Sequence, residues 1–377
     1  MKVISMRNLV CFAVEGAICI AIVLLYLSAN RGGRPLQLFS CAINDEKSVP
    51  ISDRMANETT AANFGTANTT EVSLNMLSYT TSVQQNKVQM GFEDILPLLQ
   101  KAATDDKTVI ITSVNEAWAT PNSLLDLFLK SFHVGKNIEH LLSHLIIVAL
   151  DPKAFERCKV LHDHCYQLKL NGVDFATEKV FMSEDYLQLV WEKLNLQQQI
   201  LEFGYNFLFT DVDVLWFQNP FKHINVYADI TASCDIFVGN PESLRNSPNT
   251  GFFYVKSTDR TVKMLRYWRE ARNRFLPNHE QYVFNMIKHE LVTKLKVKIQ
   301  FLDTFYFGGF CGHGNDLNKI CTIHANCCIH LDNKLHNLRN ATAAWKEYIS
   351  IPVKDQKRRK KIIWQAPRLC MPSLKRH

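Results

Sequence analysis

Apolar residues along this chain gather in short runs separated by longer stretches of helical spacing. Val109-Ile110-Ile111, residues 145–150 and Phe207-Leu208-Phe209 are uninterrupted apolar runs of strand length. Such runs predict strands covered on both faces. After the first, Leu124, Leu125, Phe128 and Leu129 mark one face of a helix, with Asn122 or Ser123 as its cap. Residues 186–203 predict a long helix that Gly204 ends. A further apolar stretch lies at 235–239. A turn at Asn249-Thr250-Gly251 then leads into a strand through Val255, and helices follow at 258–275 and 280–291. A helical stretch at 92–103 is expected to be interrupted by Pro97. The strand–helix–strand alternation predicts an α/β domain with a mainly parallel sheet.

In open sheets of this kind ligands collect at the carboxyl ends of the strands. Two of those ends carry polar residues. Thr112, Asn115 and Glu116 follow the first run, and Asp211 and Asp213 follow the third. Carboxylates are costly to bury, so a pair beside a core strand needs a reason. A hard divalent cation supplies one, because carboxylate oxygens suit Mg2+ or Mn2+ while phosphates and water complete the shell. Asp-x-Asp also occurs on solvated loops. The apolar strand before it, Trp216 and Phe217 after it, and the Asn219-Pro220 turn favour the metal reading.

With 377 residues the chain has room for one large domain plus extensions. The formal charge of +7 is modest, and much of it sits in Lys357-Arg358-Arg359-Lys360-Lys361. Without zinc-finger spacing or aromatic–basic interleaving, that cluster reads as a solvated basic tail and not as a nucleic-acid site. Residues 9–27 form an apolar run long enough to span a membrane, although Glu15 is costly inside it. The expectation is a signal anchor of a single-pass type II protein with a lumenal body; a cleaved signal peptide is the alternative. The organisation that follows is a cytosolic tail at 1–8, the anchor at 9–27, a flexible lumenal stem at 28–105, an α/β body at 106–350 and a basic tail at 351–377. Sequons at Asn57, Asn68 and Asn340 agree with a lumenal body. Of eleven cysteines, Cys11 and Cys19 lie in the anchor. Several of the other nine are expected to pair in an oxidising lumen, with connectivity undetermined. The Cys/His-rich segment at 311–336 reads as an irregular closing region. A zinc cluster from Cys321, His324, Cys327, Cys328 and His330 lacks the second Cys-x-x-Cys that such sites usually show.

Five ordered blocks carry a family resemblance over roughly residues 108–350. They are Asn115-Glu116-Ala117-Trp118-Ala119, Gly172-Val173-Asp174-Phe175, the stretch from Phe209 to Phe217 that contains Asp211-Val212-Asp213, the stretch from Phe301 to Cys311, and His324-Ala325-Asn326-Cys327-Cys328. Together they resemble the plant nucleotide-diphospho-sugar transferases of glycosyltransferase family 77. The resemblance implies a GT-A fold, Mn2+ (or Mg2+) dependence, a Golgi membrane location, and retaining transfer of a pentose or galactose from a UDP-sugar to a cell-wall polysaccharide or glycoprotein acceptor. It implies Asp211, Asp213 and His324 as metal ligands, with a structural histidine as the other reading of His324. Thr112, Asn115, Glu116, Thr210, Val212, Asn249, Gly251 and Lys334 are implied at the nucleotide-sugar. Glu280, Gln281 and Asp235 are implied at the reacting sugar, with a covalent intermediate and front-face attack both open. The chain departs from the family at Thr250, Glu280, Tyr282, His330 and Gln218-Asn219. A non-catalytic, sugar-nucleotide-binding relative that scaffolds a transferase complex is therefore the second hypothesis. A metal-dependent phosphohydrolase is the third, and it needs a second metal cluster.

Overall fold

The computed structural model describes residues 92–169, 182–311, 316–360, 362, 364 and 367–370. The tail at 1–8, the anchor at 9–27, most of the stem, the sequons at Asn57 and Asn68, and the Gly172–Phe175 block lie outside the described residues.

The apolar runs become the centre of a seven-stranded sheet. Its strands are β1 (Thr108–Val114), β2 (Leu145–Ala149), β3 (Cys165–Gln167), β4 (Asn206–Thr210), β6 (Ile230–Ile236), β7 (Ser247–Val255) and β8 (Ile299–Phe301). They lie in the order β3-β2-β1-β4-β7-β6-β8. Only β7 runs against its neighbours, so the sheet is mainly parallel as expected. Alternate residues serve two cores. Ile110, Leu145, Leu208 and Phe252 face one, and Val109, Ile146, Phe209 and Phe253 face the other. Burial on both faces explains why the runs show no polar alternation. Helices Leu124–Val134 and Leu331–Ser350 feed the first core; Glu184–Glu202, Asp259–Ala271 and Glu280–Leu295 feed the second. A mixed sheet flanked by helices is the GT-A-like arrangement that the resemblance implies.

A second, three-stranded sheet stands at the carboxyl end of the first. It joins β5 (Val214–Trp216), β9 (Phe307–Gly309) and β10 (Thr322–His324) in the order β5-β10-β9. Trp216 anchors it, stacked on Phe132 with ring centroids 4.8 Å apart.

Local signals act as expected in some places and differently in others. Gly204 has φ 82° and ends the long helix, with its N–H on Leu201 O. Ser123 is the residue before the helix Leu124–Val134, but its side chain does not cap it. Asp126 Oδ2 instead accepts the Asn122 N–H at 2.6 Å. Pro97 does not interrupt a helix; it opens one, in the first turn of Leu96–Ala102, where a missing N–H costs nothing. Asn249-Thr250-Gly251 is not a turn. It lies inside β7, but the ladder slips there: Ala232 of β6 pairs with Phe253 and Ser233 with Asn249, so residues 250–252 bulge out of the β6 pairing, and a second shift follows between Cys234 and Ile236.

Among the described residues the disulfides are Cys158–Cys165, Cys311–Cys327 and Cys328–Cys370. Cys327 and Cys328 are thus spent, which removes the zinc-cluster reading of that segment. Beyond residue 350, Trp364 is buried against Phe310 and Cys370 is buried beside Asn337. Asn340 is exposed, but it sits in mid-helix, and the Thr342 hydroxyl of its sequon is buried and donates to Leu338 O. The surface loop that a sequon suggests is absent there.

Candidate active site

The acidic pair leaves the end of β4 in a tight passage to β5. Val212 is drawn into the core, and the Thr210 hydroxyl, fully buried, accepts the Trp216 indole N–H at 3.2 Å. The side chains of Thr210 and Val212 are therefore committed to packing. Asp211 and Asp213 are left on the same side. Strand β10 runs antiparallel to β5 and sets His324 opposite Val214. Its Nε2 lies 3.3 Å from Asp213 Oδ1 and 3.9 Å from Asp211 Oδ2. One donor atom from each of Asp211, Asp213 and His324 falls within 4.8 Å of the others.

Gly251 makes this convergence sterically possible. A Cβ at that position would lie 2.5 Å from Asp211 Oδ2 and 2.5 Å from His324 Cε1. Only glycine lets β7 pass so close to the donors. Its carbonyl accepts the Asp211 N–H at 2.7 Å. Two carboxylates and an imidazole around a glycine-lined recess fit a divalent cation.

Positive groups surround the pair. Lys334 Nζ is 2.6 Å from Asp213 Oδ2. Burial would push the Asp213 carboxyl up, but Lys334 and His324 hold it well below the ordinary carboxylate range. Asp211 goes the other way: desolvation raises it, Lys193 opposes, and Asp213 adds to the rise. Lys193 comes from the helix Glu184–Glu202, with Nζ 3.4 Å from Asp211 Oδ1 and 4.4 Å from the Phe209 ring centre. Burial lowers the pKa of His324, yet Asp213 and Asp211 outweigh it and the imidazole is raised. Tyr186 lies in the field of Glu280, Asp211 and Asp213; burial and these charges raise its phenol well above normal.

A second group stands beside this one. Asp235, near the end of β6, accepts from Asn249 Nδ2 at 2.7 Å, Asn326 Nδ2 at 2.7 Å and Gln281 Nε2 at 3.2 Å. Gln281 Oε1 accepts the Thr250 N–H at 3.0 Å. Glu280 is buried at the start of its helix, with Oε1 3.4 Å from the Thr250 hydroxyl, while its Oε2 accepts no hydrogen bond. Asn249 joins the two groups, because its Oδ1 accepts the Gly251 N–H at 2.9 Å.

The residues after β1 behave individually. Asn115 caps the short helix Glu116–Ala119 by accepting the Trp118 N–H at 3.2 Å. The Trp118 ring centre lies 5.8 Å from Lys334 Nζ, which sets this turn next to the Asp213 clasp. Glu116 instead pairs with Lys153 at 2.8 Å, and its N–H donates to Asp151 Oδ2. Thr112 is fully buried within β1, and its hydroxyl has no hydrogen-bond partner. The structure thus gathers Asp211, Asp213, His324, Gly251 and Lys334 into one cluster and Asp235, Asn249, Glu280 and Gln281 into another. Sequence reasoning missed Lys193, Tyr186, Asp151 and Asn326 as members of this neighbourhood. Asn326 alone had a signal, since it stands inside the His324–Cys328 block.

A family model described as nucleotide-diphospho-sugar transferase matches residues 140–338. Three relatives come from Arabidopsis thaliana. The uncharacterized protein At4g15970 is 42% identical over 73% of this chain and 72% of its own length. The uncharacterized protein At1g28695 is 37% identical over 67% of this chain and 77% of its own length. The chain is also 24% identical, over 45% of its length and 50% of the relative, to UDP-D-xylose:L-fucose alpha-1,3-D-xylosyltransferase 3.

Proposed function

Given that the chain belongs to the nucleotide-diphospho-sugar transferase family, we propose that it is a metal-dependent glycosyltransferase, retaining in outcome, that moves a pentose or galactose from a UDP-sugar to a glycan or glycoprotein acceptor. The observation that carries this reading is the Asp211–Asp213–His324 cluster packed against Gly251. A bound Mn2+ or Mg2+ would serve there as a Lewis acid for the departing diphosphate. Asp211, Asp213 and His324 would hold it. Lys334 brings a point charge to the diphosphate, and the Asn115 turn receives the nucleotide. Asp235 and Asn249 bind sugar hydroxyls, because a carboxylate and an amide supply acceptors and a donor in fixed directions. Glu280 and Gln281 face the reacting carbon, where a carboxylate stabilises developing positive charge or attacks it directly. The name of the xylosyltransferase relative supports a pentose donor. Residence in the Golgi membrane as a single-pass type II protein, through the anchor at 9–27, belongs to the same proposal.

The test is UDP release by the full-length protein from UDP-xylose, UDP-arabinose and UDP-galactose, with and without Mn2+. Release that requires the metal and falls by about a hundredfold or more in Asp213→Ala is the expected result. UDP binding without release from any donor would instead favour the scaffold reading that the departures at Thr250 and Tyr282 raise.

A further inference from the structure

Asp235 is an unusually well-held carboxylate. Its three donors arrive from three separate elements: Asn249 from β7, Gln281 from the helix Glu280–Leu295, and Asn326 from the segment after β10. A carboxylate offers about four lone-pair sites, so three protein donors fix its plane and leave capacity for one more hydroxyl donor. Asn249 and Gln281 already have duties in the site proposed above. Asn326 has none assigned.

The Asn326 carboxamide is itself locked at every face. Its Nδ2 donates to Asp235 Oδ1 at 2.7 Å, and its Oδ1 accepts the Cys311 N–H at 3.2 Å. It lies flat over Gly309, where a Cβ would come within 2.4 Å of Oδ1 and 3.0 Å of Nδ2. Gly309 is the β9 partner of His324 in β10. The next residue, Cys327, is bonded to Cys311, the residue whose N–H the carboxamide accepts. Disulfide, strand pairing and amide therefore form a single rigid bracket, and its one free hand is on Asp235.

We infer that Asn326 is a positioning residue for the donor sugar, setting the orientation of the Asp235 carboxylate without touching substrate itself. This rests on the donor-site reading of Asp235 given above. Apart from Asn249 Oδ1, which accepts the Gly251 N–H, the metal cluster is held by other means. Gly251 is fixed by the Asp211 N–H on its carbonyl and by the pairing of Thr210 with Phe252, and Asp213 is fixed by Lys334. Loss of the Asn326 amide should consequently loosen the sugar subsite and spare the diphosphate subsite.

Binding measurements on the full-length protein separate the two. With Mn2+ present, the Kd of UDP is compared with that of UDP-xylose, UDP-arabinose and UDP-galactose, and the tightest of the three is carried into the variants. In Asn326→Ala the sugar-dependent gain in affinity over UDP should shrink by about tenfold, the scale of a lost hydrogen bond to a charged group. UDP and Mn2+ affinities should stay within about twofold of the parent, which also shows that the variant is folded. Asp235→Asn should lose the same gain, and the double variant should be no worse than either single one, as expected of two residues acting in one contact. Parallel loss of UDP and UDP-sugar affinity, an unchanged sugar gain, or additive losses in the double variant would overturn the inference. Failure of the parent protein to bind UDP with Mn2+ would overturn the donor-site reading itself, and is read before any variant.

Discussion

The two halves of the site solve the same problem with opposite chemistry. Around Asp211 and Asp213, buried negative charge is balanced by full positive charges, Lys193, Lys334 and a raised His324. Around Asp235, the carboxylate is held by three neutral amides. Charge against charge is strong and tolerant of angle, which would suit the proposed cation and diphosphate subsite. Amide against carboxylate is directional, which would suit the proposed sugar-hydroxyl subsite. The first half should therefore govern whether the reaction proceeds and the second which sugar is used.

The largest break in that division should come from Asp213→Ala. It removes a proposed metal ligand and takes away the Asp213 partner of Lys334, and UDP release should fall by about a hundred- to a thousandfold. Gly251→Ala should follow. The added methyl would press on Asp211 and His324, weakening Mn2+ affinity by about ten- to a hundredfold, the range seen when ligand orientation is disturbed. Titration calorimetry with Mn2+ checks this, and unchanged affinity would sever Gly251 from the metal half.

Acidity sharpens the contrast further. The His324 pKa is raised in the folded protein by Asp213 and Asp211. A raised histidine contributes stability that is complete below its unfolded value, about 6.5, and is lost as pH climbs through the folded one. Metal-free protein should thus lose part of its melting temperature as pH rises above about 6.5. Mn2+ affinity should move the opposite way, rising as the imidazole gives up its proton. His324→Asn should flatten both trends. Asn340→Gln changes an exposed mid-helix position and should change stability by less than about 0.5 kcal/mol, the usual limit for such a site.

Of the proposed metal half, Asp211 and Asp213 were legible because their signal is local, one residue apart after an apolar strand; His324 came through the family resemblance, with Lys334 ten residues beyond it. The sheet order was legible only as a class, since β7 reverses direction and nothing in its residues says so. Asn249-Thr250-Gly251 looked like a turn because asparagine and glycine favour turns in isolation. The Asn249–Ser233 pair on β6 and the β4 pairing that begins at Phe252 hold the segment extended as a bulge within β7. Lys193 was invisible for a different reason. A lysine on a long helix reads as solvated, and only the approach of that helix to β4 brings its ammonium to Asp211 and the Phe209 ring. Asp151 likewise serves Glu116 across 35 residues, a distance no spacing rule reaches.

Gly251 has a consequence for how such a site can change. Every other residue brings at least a methyl group to that point, so variation at 251 is closed while the cluster is in use. Its neighbour is open. Thr250 offers its hydroxyl to Glu280 and Gln281, and a different residue there would alter the reacting-sugar floor without crowding the ion. New donor preferences should therefore arise at 250, beside a position that cannot move.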